Sequence, residues 1–154
     1  MKILLLDIDG VLATNSCYGK SKNNKWDVYK FDEKCVSVLN HIIQETNCEI
    51  VLSSDWRTHY TLQEIREIFT FNCVIRTPIG FTPRSKKYNG DSLEIGRSEE
   101  IKSWVENHIW KDDSTWVAVD DLNMDEWLHP NFVLCGNGNE GIKQTGVKEK
   151  IISK

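Results

Sequence analysis

A doubly wound α/β fold, with a parallel sheet of about five strands and helices on both faces, is what this 154-residue chain predicts. Three observations carry that expectation. The chain opens on an unbroken apolar run, residues 3–6, which is too short to cross a membrane and reads as a strand buried on both faces. Further short apolar runs alternate with segments of helical spacing. Two of the runs end in paired acids, Asp7-x-Asp9 and Asp120-Asp121. Sheets of this class bind their ligands at such strand ends.

The elements follow in order. The first strand covers residues 2–6 and runs into Asp7, Asp9 and Gly10. Residues 13–30 are polar, rich in Asn, Lys and Ser, with Trp26, Val28 and Tyr29 alternating near the end, and are expected to form a hairpin or flap. Asp32 caps a helix over 32–46, whose apolar positions Cys35, Val36, Leu39, Ile42 and Ile43 lie on one face. A second strand, 49–53, ends in Ser53-Ser54-Asp55. Thr61 and Glu64 form a capping box that opens a short helix to about Phe69. A third strand is expected at 73–76, and the long segment 77–96, with two prolines and three glycines, as a functional loop. A helix over 98–109 carries Ile101, Trp104, Val105, His108 and Ile109 as its apolar stripe. Strands at 116–119 and 132–134 and a helix at 147–153 complete the pattern. With no internal repeat or low-complexity linker, residues 1–154 read as one domain.

Composition narrows the function classes. A net charge of −4 gives no general field for polyanions. The densest basic cluster, Pro83-Arg84-Ser85-Lys86-Lys87, reads as a solvated loop. The five cysteines are odd in number, widely spaced and without a Cys-x-x-Cys, which argues against a zinc site or a disulfide framework. No leader or membrane span is visible, so a reducing cytoplasm is expected and no membrane partner. His41, His59, His108 and His129 do not cluster in sequence; His108 is placed on an apolar helix face, and none is assigned to catalysis.

The chemistry concentrates at the strand ends. Asp7 and Asp9 repel each other unless a hard cation such as Mg2+ neutralises them. Ser53 and Ser54 offer hydroxyls and backbone N–H groups suited to phosphate oxygens. Asp120-Asp121 repeats the opening pattern. Arg97, read as the start of the third helix, can bring a cation to the same edge; Lys102, one turn on, suits an exposed helix face better. Trp56 and Arg57 have two readings: stacking on a base with contact to a phosphate, or packing of the ring in the core with Arg57 paired to an acid.

In this order, Asp7-x-Asp9-Gly10-Val11, Ser53 after a strand, a basic residue and Asp120-Asp121, the chain resembles the haloacid dehalogenase (HAD) superfamily of phosphohydrolases. Ser53-Ser54-Asp55-Trp56-Arg57, Arg97-x-x-Glu100-Ile101-x-x-Trp104 and the late Gly141-Ile142 are similar to a small branch without a cap domain, some of whose members are fused to RNA-repair proteins. The resemblance implies a Rossmann-like fold and Mg2+. It implies Asp7 as nucleophile and Asp9 as acid–base, with the backbone carbonyl of Asp9 on the metal. Asp121 would bind metal directly, Asp120 directly or through water, and Asp125 would support them. Ser53, Ser54, Gly10 and Arg97 would meet the phosphate, with arginine standing where the family usually has lysine. Asp rather than Thr at position 9 favours a phosphatase over an ATPase.

The expectation is an Mg2+-dependent phosphomonoesterase working through an aspartyl-phosphate, on a small molecule or a nucleic-acid end. The alternative is a non-catalytic or receiver-like domain that binds phosphate and Mg2+. A receiver is disfavoured because its phosphorylated aspartate ends a later strand. An EF-hand is disfavoured because the glycine position is wrong and a strand, not a helix, precedes the acids.

Overall fold

The computed structural model describes residues 1–18, 30–84, 92–108 and 114–154. The five strands are β1 (Lys2–Leu6), β2 (Glu49–Leu52), β3 (Gly80–Phe81), β4 (Thr115–Asp120) and β5 (Phe132–Leu134). They form one all-parallel sheet in the order β3-β2-β1-β4-β5. The helices are α1 (Glu33–Thr46), α2 (Leu62–Phe71), α3 (Leu93–His108), α4 (Asp125–Leu128) and α5 (Val147–Ile152).

Side-chain alternation along each strand divides the core between the two faces of the sheet. Leu4, Leu6, Ile50, Leu52, Val117 and Val119 pack with the buried stripes of α1, α2 and α5. Ile3, Leu5, Val51 and Ala118 face the other way, onto Ile101 and Trp104 of α3 and Leu128 of α4. Both faces are covered, which is why the strands are apolar throughout and not alternating.

Several expected elements hold in detail. Asp32 caps α1 through Oδ1, which accepts from the amides of Lys34 (2.9 Å) and Cys35 (3.3 Å). Thr61 and Glu64 form the reciprocal capping box of α2.

Two do not. Residues 73–76 are not a strand. The helix α2 runs two residues past Phe69, and Cys73 turns the chain with φ 60, leaving Val74 buried and Ile75 exposed. The partner of β2 is Gly80–Phe81, held by Ile79 N–H to Ile50 O (2.8 Å) and Thr82 N–H to Leu52 O (3.0 Å). An edge strand this short has one hydrogen-bonded neighbour and needs no apolar run of its own. The helix α3 begins at Leu93, not Ser98, so Arg97 lies more than one turn inside it. Its early buried face is polar (Arg97, Ser98, Glu100), and a search for apolar periodicity passes over it. The segment 77–96 therefore contains β3 and the first turn of α3. His108, expected on the apolar stripe, is exposed and stacks flat on Trp104 at 4.4 Å. Trp26, Val28, Tyr29 and most of the flap segment lie outside the described residues, as do Ser85-Lys86-Lys87 and Ile109.

Candidate active site

The strand order reverses direction between β1 and β4, and sheets of this class bind their ligands at the carboxyl ends of the strands flanking such a switch point. Leu6 pairs with Val119, and the Asp7 amide donates to Val119 O at 3.0 Å, so Asp7 and Asp120 stand side by side. On the other side Ser53 N–H donates to Leu6 O at 2.9 Å, bringing the end of β2 against Asp7. Register alone thus assembles Ser53, Asp7 and Asp120 in one row.

A tight turn carries the chain past Asp9. Leu12 and Ala13 N–H both donate to Ile8 O (2.8 and 2.9 Å), and Gly10 sits at φ +70. A Cβ on Gly10 would lie 2.2 Å from Asp121 Oδ2, so only glycine leaves room for that carboxylate.

Three carboxylates, Asp7, Asp120 and Asp121, place one oxygen each within 4.8 Å of one another. Asp7 and Asp120 are buried and Asp121 is exposed. Arg97 reaches this group from α3. Its guanidinium donates to Asp120 Oδ2 (2.9 Å), to Ser53 O (2.6 Å) and to Asp55 Oδ1 (3.1 Å), and lies 3.6 Å from Asp7 Oδ1. Lys102 is exposed on the same helix, so Arg97 is the basic residue of α3 that meets the acids.

One guanidinium does not balance this much negative charge in a buried setting. Burial pushes the Asp7 carboxyl up to about 6, against the opposing pull of Arg97 and a hydrogen bond from Ser54. Burial also raises Asp120 well above the usual carboxylate range, with Asp7 adding to the rise. Asp121 rises for the same first reason. Mutually repelling oxygen donors, two of them buried, could hold a hard cation of the Mg2+ or Ca2+ kind. Ser53 Oγ is buried and has no hydrogen-bond partner among the described residues, which leaves a hydroxyl at the end of β2 for an added oxygen ligand.

Asp9 is treated differently. Its carboxylate is not among the three that converge. Trp56 Nε1–H donates to Asp9 Oδ2 at 2.9 Å, and the Tyr18 hydroxyl donates to Oδ1. Trp56 packs edge-on to Phe31 at 6.0 Å and against Tyr60 at 5.5 Å. Arg57 forms a buried ion pair with Glu100 and donates to Ser54 O at 2.9 Å. Arg57 is thus paired to an acid as one reading had it, while the Trp56 ring is half-buried at the margin of the core and not within it. Asp125 opens α4 with its carboxylate 3.4 Å from His129 Nδ1, and it is not among the three carboxylates that converge.

Sequence reading did not find the Trp56–Asp9 bond or the Tyr18–Asp9 bond. Trp56 was legible as a residue of interest through its place beside Ser54. Tyr18 carried no signal within a polar stretch.

The chain matches the family described as "HAD domain in Swiss Army Knife RNA repair proteins" over residues 3–147. Neither a curated protein nor a solved structure matches it.

Proposed function

The chain belongs to the HAD domains of Swiss Army Knife RNA repair proteins, and from that premise we propose that it is an Mg2+-dependent phosphomonoesterase acting through an aspartyl-phosphate. The observation that carries this reading is the division of labour among the acids. Asp7, Asp120 and Asp121 converge beside Arg97, while Asp9, two residues from Asp7, is held out of that group by neutral donors.

Asp7, Asp120 and Asp121 would hold Mg2+ together with the Asp9 backbone carbonyl. Both oxygens of Asp120 already accept from protein donors, Arg97 and the Leu122 amide (2.9 Å), which leaves the exposed Asp121 as the more available ligand. Bound there, Mg2+ would supply positive charge for phosphate oxygens in the transition state.

The steps belong to the side chains. An Asp7 carboxylate oxygen attacks phosphorus in line, the bond from phosphorus to the leaving oxygen breaks, and Asp9 gives that oxygen its proton. Asp9, now ionised, takes a proton from water as the water oxygen attacks the aspartyl-phosphate. The bond from phosphorus to Asp7 breaks, and inorganic phosphate leaves with Asp7 restored. Arg97, close to Asp7 Oδ1, lies where it can meet an oxygen of the same phosphoryl group. Ser53 Oγ, Ser54 and the Gly10 backbone complete the phosphate contacts.

The substrate class is a phosphate at a nucleic-acid end, in keeping with the family's description. The catalytic machinery is read as one domain over 1–154. Five free thiols suit a reducing, cytoplasmic setting, and no helix among the described residues is long and apolar enough to cross a membrane.

The test is hydrolysis of an aryl phosphate and of RNA and DNA carrying 5′ or 3′ phosphates, with Mg2+ and with EDTA. Wild type releases phosphate only with the metal, and Asp7→Asn releases none. Equal inactivity of both proteins across the panel would sink the enzymatic reading; activity on free nucleotides alone would sink the polymer-end substrate.

A further inference from the structure

The two donors on Asp9 differ in rigidity, and that difference has a consequence for the proposed reaction. Trp56 belongs to a 3-10 turn, Asp55–Thr58, fastened at several points. The amides of His59 and Tyr60 donate to Trp56 O at 3.0 Å, and Arg57 ties the turn to Ser54 O and Glu100. The indole is half-buried against Phe31, which is itself buried and edge-on to Phe69 at 5.5 Å. Tyr18, by contrast, is 53% exposed and follows a three-residue 3-10 turn at Asn15–Cys17.

We infer that Trp56 is a positioning residue for Asp9, and that Tyr18 is a displaceable cover on the same carboxylate. An indole N–H can donate but cannot accept and does not titrate. It therefore fixes Oδ2 as an acceptor and leaves Oδ1 as the oxygen that carries and exchanges the proton. The Tyr18 hydroxyl occupies Oδ1 in the resting site. A leaving oxygen needs that same position, so on substrate entry the Tyr18 hydroxyl gives way, Oδ1 takes up a proton from solvent, and the ester oxygen accepts a hydrogen bond from it while Trp56 keeps the carboxyl in place. The fixed bond also keeps Asp9 from swinging toward Asp7 and its neighbours, where it would add a fourth carboxylate to the cation group. This assignment rests on the phosphohydrolase reading above, because it gives Asp9 the acid–base role.

Leaving-group dependence tests it. In Trp56→Phe the N–H is gone and much of the ring packing stays. The value of kcat/KM, which covers steps up to the phosphoenzyme, should fall roughly 10- to 100-fold for an alkyl phosphate or a phosphorylated RNA end. It should fall about threefold or less for p-nitrophenyl phosphate, whose leaving group departs without a proton. Tyr60→Leu loosens the packing and keeps the N–H, so its loss should be the same for all substrates. Tyr18→Phe should lower KM on the alkyl phosphate.

A uniform loss across leaving groups in Trp56→Phe overturns the positioning role. A loss of kcat/KM of about tenfold or more in Tyr18→Phe overturns the cover. One arm does not depend on activity: in metal-free protein the Trp56 indole N–H resonance should shift in Asp9→Ala. An unmoved resonance overturns the Trp56–Asp9 contact itself. A shifted resonance in a protein inactive on every phosphate would instead fault the phosphohydrolase reading.

Discussion

Asp7 and Asp32 are both largely buried carboxylates within reach of a cation, yet their surroundings drive them in opposite directions. Asp32 is fully matched. It accepts from two amides at the start of α1, from Thr14 Oγ1 at 3.0 Å and from the Lys143 ammonium, and it is held below the usual carboxylate range by the Lys143, Thr14 and amide bonds, which outweigh burial. Asp7 shares one arginine with Asp120 and Asp55, has Asp121 nearby, and is raised to about 6 by burial. The same fold thus holds one acid whose charge stabilises it and a group of acids whose charge costs stability until something else arrives. An unmatched buried charge points to a ligand; a matched one points to structure.

The sharpest way to break that distinction is Asp7→Asn. As the nucleophile, Asp7 should cost phosphatase activity at least about a thousandfold when replaced. The same change should raise the stability of the metal-free protein at pH 7.5. A carboxyl whose folded pKa lies above its unfolded value is a net cost wherever it is ionised, here on the order of 1–3 kcal/mol. Thermal unfolding in EDTA reads the gain, and a lower melting temperature would place Asp7 with Asp32 among the structural acids.

Removing the shared cation should hurt the opposite quantity. Arg97→Ala leaves Asp7 and Asp120 buried without a cation and should lower stability by about 3–5 kcal/mol in EDTA, with part of that recovered on adding Mg2+. Urea unfolding with and without Mg2+ checks both parts. If Mg2+ recovers nothing, the acids at this edge do not form a cation site.

A smaller perturbation sharpens where that site is centred. Gly10→Ala drives a Cβ into Asp121 from a backbone at φ +70. Asp121 must shift, and Mg2+ affinity should fall roughly 10- to 100-fold while Asp7 and Arg97 stay in place. Asp125→Ala, on the exposed start of α4, should leave the affinity unchanged. Isothermal titration of the two variants separates them, and an equal loss in both would return Asp125 to the metal site.

Much of this contrast is legible in the amino-acid sequence. Strands β1 and β5, the Asp32 cap and the Thr61–Glu64 box follow from local rules, and the local rules agree with the fold. The acidic row was legible because Asp7, Ser53 and Asp120 each end an apolar run, and parallel register does the rest. What escaped depends on contacts distant in sequence. β3 is two residues paired to β2 by backbone alone, and the N-terminal half of α3 buries Arg97 and Glu100 against partners more than twenty residues away. The hold of Trp56 on Asp9 spans 47 positions, and nothing in either residue's neighbourhood announces it.

The smallest expected effect belongs to the matched acid, and its dependence on pH identifies it. Asp32→Asn keeps a capping oxygen for α1 but removes the charge opposite Lys143, which should cost about 1–2 kcal/mol at pH 7. Because the folded-state pKa of Asp32 is depressed, its contribution is present above the ordinary aspartate value of 3.8 and is lost as pH falls through the lower folded value. The gap between wild type and Asp32→Asn should therefore hold from neutral pH down to about 5 and close below 4. Mg2+ should not change the gap, since Asp32 lies at the start of α1 and takes no part in the acidic row. A gap that widens on acidification, or that responds to Mg2+, would mean that the charge on Asp32 is coupled to the acidic row and that the two regions are one electrostatic unit.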